Sequence, residues 1–244
     1  MWKLALACKG LATPTLLQSY DIERIPVVAQ MLMTTAKLFT HVIGDHTGNA
    51  TEQHKAPGGN PFLQLRDPAL TQLRVNYRYS PIVFDARGTE GQTEDEMKTL
   101  AYQGYGPEGG VRAGDRAPQA TGLVDAAGKE TSVFDILKPT YHTLMVFVPG
   151  TGGENDRVVA VTKAAQTYPT GTVRVVIIGQ DGVPSADEGT EAYHDKDGLA
   201  LRAYRIEGET PPTIVVVRPD AYIGGFVYDV TGVEEYFTRI FKRL

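Results

Sequence analysis

The chain has 244 residues, 42% hydrophobic and 22% charged, which is enough apolar material for one large core or two small ones. A formal net charge of -5 and the lack of a basic stripe with interleaved aromatics exclude a nucleic-acid binder. One cysteine, Cys8, excludes an internal disulfide and a cysteine-based zinc site, and no apolar run approaches the ~18 residues of a membrane span.

A single cysteine fits a reducing compartment, so a cytoplasmic location is expected. The apolar stretch Leu4 to Cys8 ends at Lys9-Gly10, short of the roughly 7–15 residues of a secretory core. It reads as a helix end, not a targeting signal.

Trp2 to Lys9 is expected to be helical, with Gly10 as its C-cap. Thr13-Pro14 restarts the chain: Thr13 caps and Pro14 suits the first turn. Leu16, Leu17, Tyr20 and Arg24 follow at helical spacing. Pro26 is expected to kink or interrupt this helix, because it has no N–H and its ring crowds the preceding turn. A second amphipathic run, through Val28, Met31, Leu32, Leu38 and Val42, stops at Gly44. A helix that begins so abruptly suggests that something N-terminal to it is missing.

Residues 45–66 are polar and read as a loop, and Pro68 to Leu73 as a short helix. Val75 to Asp85 alternates apolar and polar residues, so an edge strand is expected, limited by Pro81. Thr89 to Glu96 is a solvated acidic run. The Gly- and Pro-rich residues 102–112 read as a linker, with a domain boundary near 110.

In the second half, residues 124–131 suggest a small hairpin and Phe134 to Leu137 a helical turn. Thr143 to Val148 and Val173 to Gly179 are continuous apolar runs, as strands buried on both faces require. The helix Asp156 to Tyr168 between them makes a right-handed βαβ unit. Residues 185–197 suggest a short helix, and Leu199 to Ile206 a helix or an edge strand. Thr213 to Val217 and Tyr222 to Val227 are strands whose short connection forces them antiparallel. Thr231 to Glu234 is read as the capping box of the last helix, which turns Val233, Phe237, Ile240 and Phe241 to the sheet. Strand, helix, strand, polar excursion, hairpin and helix is the order of a thioredoxin-like domain. At its usual dithiol position the chain has Pro149-Gly150-Thr151-Gly152-Gly153.

That glycine run, with Asp181 after the next strand, also mimics a dinucleotide site. The spacing fails, because Asn155 stands where a third glycine belongs. Pro211-Pro212 occupies the place of the thioredoxin-like cis proline, and a cis bond at Pro212 is expected on fold grounds. His41, Asp45, His46 and His54 cluster near the polar loop and read as solvated side chains, not a metal site. Glu94, Asp95 and Glu96 are likewise solvated. No nucleophile motif of the G-x-S-x-G kind occurs. Cys8 is expected to be a buried structural thiol.

Several motifs then combine. They are Trp2-Lys3-Leu4-Ala5, Lys9-Gly10, Leu16-Leu17, Ser19-Tyr20, Glu23-Arg24 and Pro26; Val75-Asn76-Tyr77-Arg78-Tyr79-Ser80-Pro81; Gly114-Asp115-Arg116-Ala117-Pro118; and Arg218-Pro219-Asp220-Ala221-Tyr222-Ile223-Gly224. In this order they resemble the final third of FAD-dependent aromatic hydroxylases of the phenol 2-monooxygenase type. The resemblance covers essentially the whole chain. It implies an α/β chain: residues 1–110 are remnant helices of an FAD-binding and substrate domain with a linker, and 111–244 are a thioredoxin-like domain with a central mixed sheet.

The resemblance also implies the family's chemistry. NADPH reduces FAD, oxygen adds to the flavin, and the flavin hydroperoxide hydroxylates a phenolic ring. The C-terminal domain of the family is linked to homodimer formation. The family's G-x-G-x-x-G fingerprint and its other flavin motifs are absent from this sequence. The chain alone is therefore expected to lack FAD binding and catalysis, and no catalytic, cofactor-binding or metal residue is carried over. Glu23 and Arg24 are expected to fix a helix by charged hydrogen bonds. The alternative reading is a stand-alone, redox-inactive thioredoxin-like module for dimerisation or binding.

Overall fold

The structure is a computed structural model that describes residues 1–46, 74–88, 91–101, 110–148, 155–186, 190–206 and 214–242. Its elements in chain order begin with α1 (Trp2–Cys8), α2 (Pro14–His46), β1 (Phe84–Asp85) and α3 (Glu94–Thr99). Then come β2 (Leu123–Val124), β3 (Glu130–Thr131), α4 (Val133–Ile136), β4 (His142–Val148), α5 (Asn155–Gln166) and β5 (Val173–Gly179). The last are β6 (Glu191–Asp195), α6 (Leu199–Tyr204), β7 (Ile214–Val217), β8 (Ile223–Val227) and α7 (Val230–Thr238).

The described strands form one sheet in the order β1-β8-β7-β4-β5-β6-β2-β3. At its centre β4 and β5 run parallel, with Val146 opposite Ile177, and every residue of β4 is buried. β6 continues the parallel set beside β5. β7 is antiparallel to β4 and β8 to β7. A βαβ unit followed by a helix, an antiparallel hairpin and a closing helix is a thioredoxin-like sheet. The antiparallel β7 rules out the doubly wound arrangement that a dinucleotide site would use.

Side chains alternate across each strand, so the sheet builds two cores. Leu144, Val146 and Ile177 face α5 and α7, through Val161, Val233 and Phe237. Met145, Phe147 and Ile178 face the opposite layer, with Leu123, Val133 and Tyr204. The helices at the start of the chain are part of the first core, where Leu6 and Leu16 are buried. Main-chain bonds fasten them there: Thr13 N–H donates to the Ile240 carbonyl (2.9 Å), and Lys242 N–H donates to Leu11 (2.9 Å). Thr13 caps α2 as expected, its hydroxyl oxygen accepting from Leu16 N–H.

Several sequence expectations are corrected. Pro26 does not interrupt α2, which runs on to His46; of the two expected effects, interruption is the one the continuous helix excludes, although proline has no N–H to give a bond there. The segment 75–83 is not a strand. Its alternation misleads because Val75, Tyr77 and Tyr79 are buried, but so are Asn76 and Ser80 between them. Only Phe84–Asp85 pairs, in parallel with β8. The acidic run is exposed, as expected, but it is the first turn of α3. Thr93 and Glu96 form a capping box, and three carboxylates sit at the positive end of the helix dipole. Residues 191–195 are strand β6 where a short helix is expected in 185–197. The last helix is capped by Asp229, which accepts from Gly232 N–H at 3.0 Å, not by Thr231. The glycine run 150–153 and Pro211-Pro212 lie outside the described residues.

Candidate functional site

The main concentration of buried charge among the described residues lies where α1 and α2 meet the β7–β8 turn. Helical spacing brings Lys3 of α1 and Glu23 of α2 to the same side, and Arg218 follows the last residue of β7. All three are buried, Arg218 at 2% exposure. Arg218 grips Glu23 with both terminal nitrogens (Nη1–Oε1 2.8 Å, Nη2–Oε2 3.1 Å). Lys3 Nζ donates to Glu23 Oε2 (2.6 Å), and the Ser80 hydroxyl donates to Oε1 (2.7 Å). Each Glu23 oxygen therefore accepts two hydrogen bonds, which a buried carboxylate needs to offset its lost hydration.

Asp220 balances the second cation. It accepts from Arg218 Nε (3.0 Å) and Nη2 (2.6 Å), and from the Trp2 indole N–H (2.8 Å). Its side chain keeps 31% of its surface in water, so it is the solvent edge of the cluster. The guanidinium lies 5.4 Å from the Trp2 ring centre, 5.5 Å from Tyr77 and 5.8 Å from Tyr222, within range of cation–π attraction.

These contacts set the protonation states. Burial pushes the Glu23 carboxyl up, but Arg218 and then Lys3 outweigh it and hold it below the ordinary range. Burial acts on Asp220 the same way and Arg218 overcomes it. Burial, and then repulsion from Arg218, bring Lys3 down to about 8. Arg218 stays charged, because Asp220 and Glu23 outweigh its burial. A carboxylate whose proton affinity is lowered by two cations, with both oxygens already accepting two hydrogen bonds, is a weak general base, so the Ser80–Glu23 pair is not a nucleophile–base arrangement.

Beside this cluster lies His142, the first residue of β4. Its ring is fully enclosed by Trp2 (5.0 Å between centres), Phe237 (5.5 Å) and Tyr236 (5.9 Å). Burial, and then Arg218, hold its pKa down to about 3, so the ring is neutral. Between about 6.5 and 3 the unfolded chain carries a proton that the folded chain refuses, and stability falls as pH falls through that window. Replacing His142 by Leu is expected to remove about 3 kcal/mol of the stability difference between pH 6.5 and pH 4. Urea unfolding of both proteins at the two pH values measures it; parallel pH profiles would contradict the assignment.

A second junction lies next to the first. Asp115 is gripped by Arg78 (Nε–Oδ1 2.8 Å, Nη2–Oδ2 2.9 Å) and accepts from Arg112 N–H (2.9 Å). Gly114 accepts from Tyr77 N–H and donates to the Ile223 carbonyl, both at 2.7 Å. Residues 2–26, 75–81, 114–118 and 218–224 thus converge on one place, although the sequence separates Glu23 from Arg218 by 195 residues.

The other sequence candidates stand apart. Glu23 fixes α2 by charged hydrogen bonds, as expected. Cys8 is exposed, which corrects the buried reading: α1 turns Lys3 and Leu6 inward and leaves Cys8 on the water side. Asp181 is exposed beyond the end of β5. His41, Asp45 and His46 belong to α2, but their side chains, and all of His54, lie outside the described residues. Among the described residues no group of three or more His, Cys, Asp or Glu is placed to hold a metal, and no helix is long and apolar enough to cross a membrane. Sequence reasoning missed Arg218 and His142 as the centre of the cluster. A signal for the first was present, since an arginine opening a turn with an aspartate two residues on can hold its own counter-ion.

Comparison with known proteins follows this geometry along the chain. No family model matches the sequence. A flavin-dependent monooxygenase of Mycobacteroides abscessus is 28% identical over 242 residues, which are 98% of this chain and 34% of that protein. Pentachlorophenol 4-monooxygenase of Sphingobium chlorophenolicum is 26% identical over 225 residues, 91% of this chain and 36% of that protein. The crystal structure of the flavin-dependent monooxygenase PieE in complex with FAD and substrate shares the fold over 98% of this chain and 42% of its own, with a TM-score of 0.60 and 21% identity. The chain is therefore similar to flavin-dependent monooxygenases over nearly its whole length, and spans about a third of the length of the curated relatives it matches.

Proposed function

We propose that this chain is the C-terminal portion of an FAD- and NADPH-dependent monooxygenase of phenolic rings, of the phenol 2-monooxygenase type. In this reading residues 1–110 close the flavin and substrate part, and residues 111–244 are a redox-inactive thioredoxin-like accessory domain. The location is cytoplasmic and the assembly a homodimer. The observation that carries the reading is similarity over 98% of the chain to a flavin-dependent monooxygenase about three times as long.

FAD supplies the oxygen chemistry when bound. Lys3 and Arg218, the buried cations, are neutralised by Glu23 and Asp220 and are not offered to its pyrophosphate. Their task is attachment: they clamp the first two helices to the thioredoxin-like sheet. The flavin contacts belong to the rest of the longer polypeptide, and the chain alone neither binds FAD nor turns over.

The test joins the chain to a relative. This chain replaces the matched segment of the Mycobacteroides abscessus monooxygenase. The chimera is expected to purify yellow and to oxidise NADPH faster when a phenol is added. The chain by itself is expected to be colourless and inert to NADPH. A folded but colourless chimera would sink the reading. Bound FAD and phenol-stimulated NADPH oxidation by the chain alone would sink the claim that it is inactive.

A further inference from the structure

We infer that Arg24 and Arg116, together with the hydroxyls of Tyr77 and Tyr222, form a surface binding site for a phosphate dianion. The inference goes beyond the flavin reading and does not rest on it.

Two cations are left over when the charges around the buried cluster are matched. Glu23 and Asp220 take Lys3 and Arg218, and Asp115 takes Arg78. Arg24 and Arg116 are exposed, and neither belongs to an ion pair among the described residues. Asp21, three residues before Arg24 on α2, is exposed and does not pair with it.

What the two arginines touch instead is a pair of tyrosines. The Tyr77 and Tyr222 rings lie 4.5 Å apart, and both residues are buried. Arg218 packs against both rings from the buried cluster. A main-chain bridge sets Arg116 opposite Tyr222, and its guanidinium is 5.6 Å from that ring centre. On α2, Tyr20 and Arg24 are one turn apart and share a side. The bond to the Tyr77 hydroxyl is the largest influence on Arg24 and makes it hold its proton more firmly, with Tyr20 and Tyr222 adding to the effect. Tyr222 is bonded in turn to Arg116 and to Tyr77. Buried rings thus fix two linked hydroxyls between two exposed guanidinium forks.

The chemistry of this set selects its ligand. The guanidinium groups only donate, and a tyrosine hydroxyl that accepts from arginine can still donate its own proton. Two positive charges without a carboxylate fit a ligand with two negative charges better than a ligand with one. A phosphate group near neutral pH carries roughly -1.5 to -2 charges and three strong acceptor oxygens. Arginine meets such oxygens with paired N–H groups, which lysine cannot do.

The experiment titrates inorganic phosphate into the full chain by calorimetry, at neutral pH and constant ionic strength, with chloride as the balancing anion. One saturable site is expected, with a Kd of about 1 mM. Arg24→Gln and Arg116→Gln are each expected to weaken it about tenfold, the worth of a charge-assisted hydrogen bond. Arg24→Lys keeps the charge and loses the fork, so its affinity should lie between the two; it also stands in if Arg24→Gln does not fold. Lys129→Gln removes an exposed cation at the far edge of the sheet and is expected to leave binding unchanged. Absence of a saturable site, or undiminished affinity in the two glutamine variants, overturns the inference. So does acetate bound as tightly as phosphate, since one negative charge would then suffice. An equal loss in Lys129→Gln would also sink it, because net charge and not a site would be responsible. None of these results bears on the flavin reading.

Discussion

Replacing Arg218 by Met is expected to destabilise the chain by about 3–5 kcal/mol, the cost of breaking a buried ion pair from one side. The guanidinium is the shared partner of Glu23 and Asp220, and Glu23 is only 3% exposed. Without it Glu23 retains Lys3 and Ser80, but loses the two bonds that offset most of its burial. A side chain of similar length keeps the packing against Trp2 and Tyr77, so the loss reports charge more than volume. For a chain of this size the thermal midpoint should fall by roughly 10 °C. Glu23→Gln alone is also expected to destabilise, since it leaves Lys3 and Arg218 facing each other. The double variant is expected to lose at least ~1 kcal/mol less than the sum of the two, as coupled neighbours do. Additive losses in urea titrations would mean that the cluster is not a network.

Gly114→Ala is the other change expected to be severe. The residue has a φ of +94°, where L side chains are strained, and a methyl group there runs into the main chain of Arg78. Neither side can give way easily. Gly114 is held by Tyr77 N–H and by the Ile223 carbonyl, and Arg78 is held by Asp115. Conformational strain of ~1–2 kcal/mol and overpacking of ~1–3 kcal/mol together predict a loss of about 2–5 kcal/mol. Gly128→Ala separates the two causes. Gly128 sits in the β2–β3 turn with a φ of +78° and nothing within 4 Å of the added carbon. Its substitution should cost the strain alone, about 1 kcal/mol. Equal losses at the two glycines would show that contact with Arg78 plays no part.

How much of this was legible in the sequence depends on the range of the interaction. β4, α5, β5 and the β7–β8 hairpin are visible because each is a local pattern: apolar runs of strand length, a helical repeat, and a connection too short to cross over. Residues 75–83 defeat the same logic. Their polar positions are buried by side-chain bonds, Asn76 to the Leu100 carbonyl and Ser80 to Glu23, so alternation there no longer reports two environments. The cluster was half legible. Glu23 stands out as a charge in an apolar helical face, and the Arg218–Asp220 pair as a turn that carries its own counter-ion. That these two meet could not be read, because no local rule links residues so far apart. His142 was invisible for a related reason. A histidine at the start of an apolar run is ordinary, and only the enclosure by Trp2, Tyr236 and Phe237 makes it neutral and sensitive to acid.

The main-chain stitching of residues 11–13 to residues 239–242 has a consequence for the order of events during synthesis. Thr13 finds its hydrogen-bond partner on Arg239, 226 residues later. At ~5–20 residues per second the ribosome needs about 10–50 s to cover that distance. Throughout that time Leu6 and Leu16 have been made but their cover has not. Lys3 and Glu23 wait nearly as long for Arg218. These two helices are thus translated well before their cover, and are finished last. Over these residues the growing chain carries exposed apolar surface until the last helix is made, and contacts of such long sequence separation form slowly. A chaperone that binds apolar helices would have its opportunity on α1 and α2 throughout that interval, and would have to let go only after α7 had emerged.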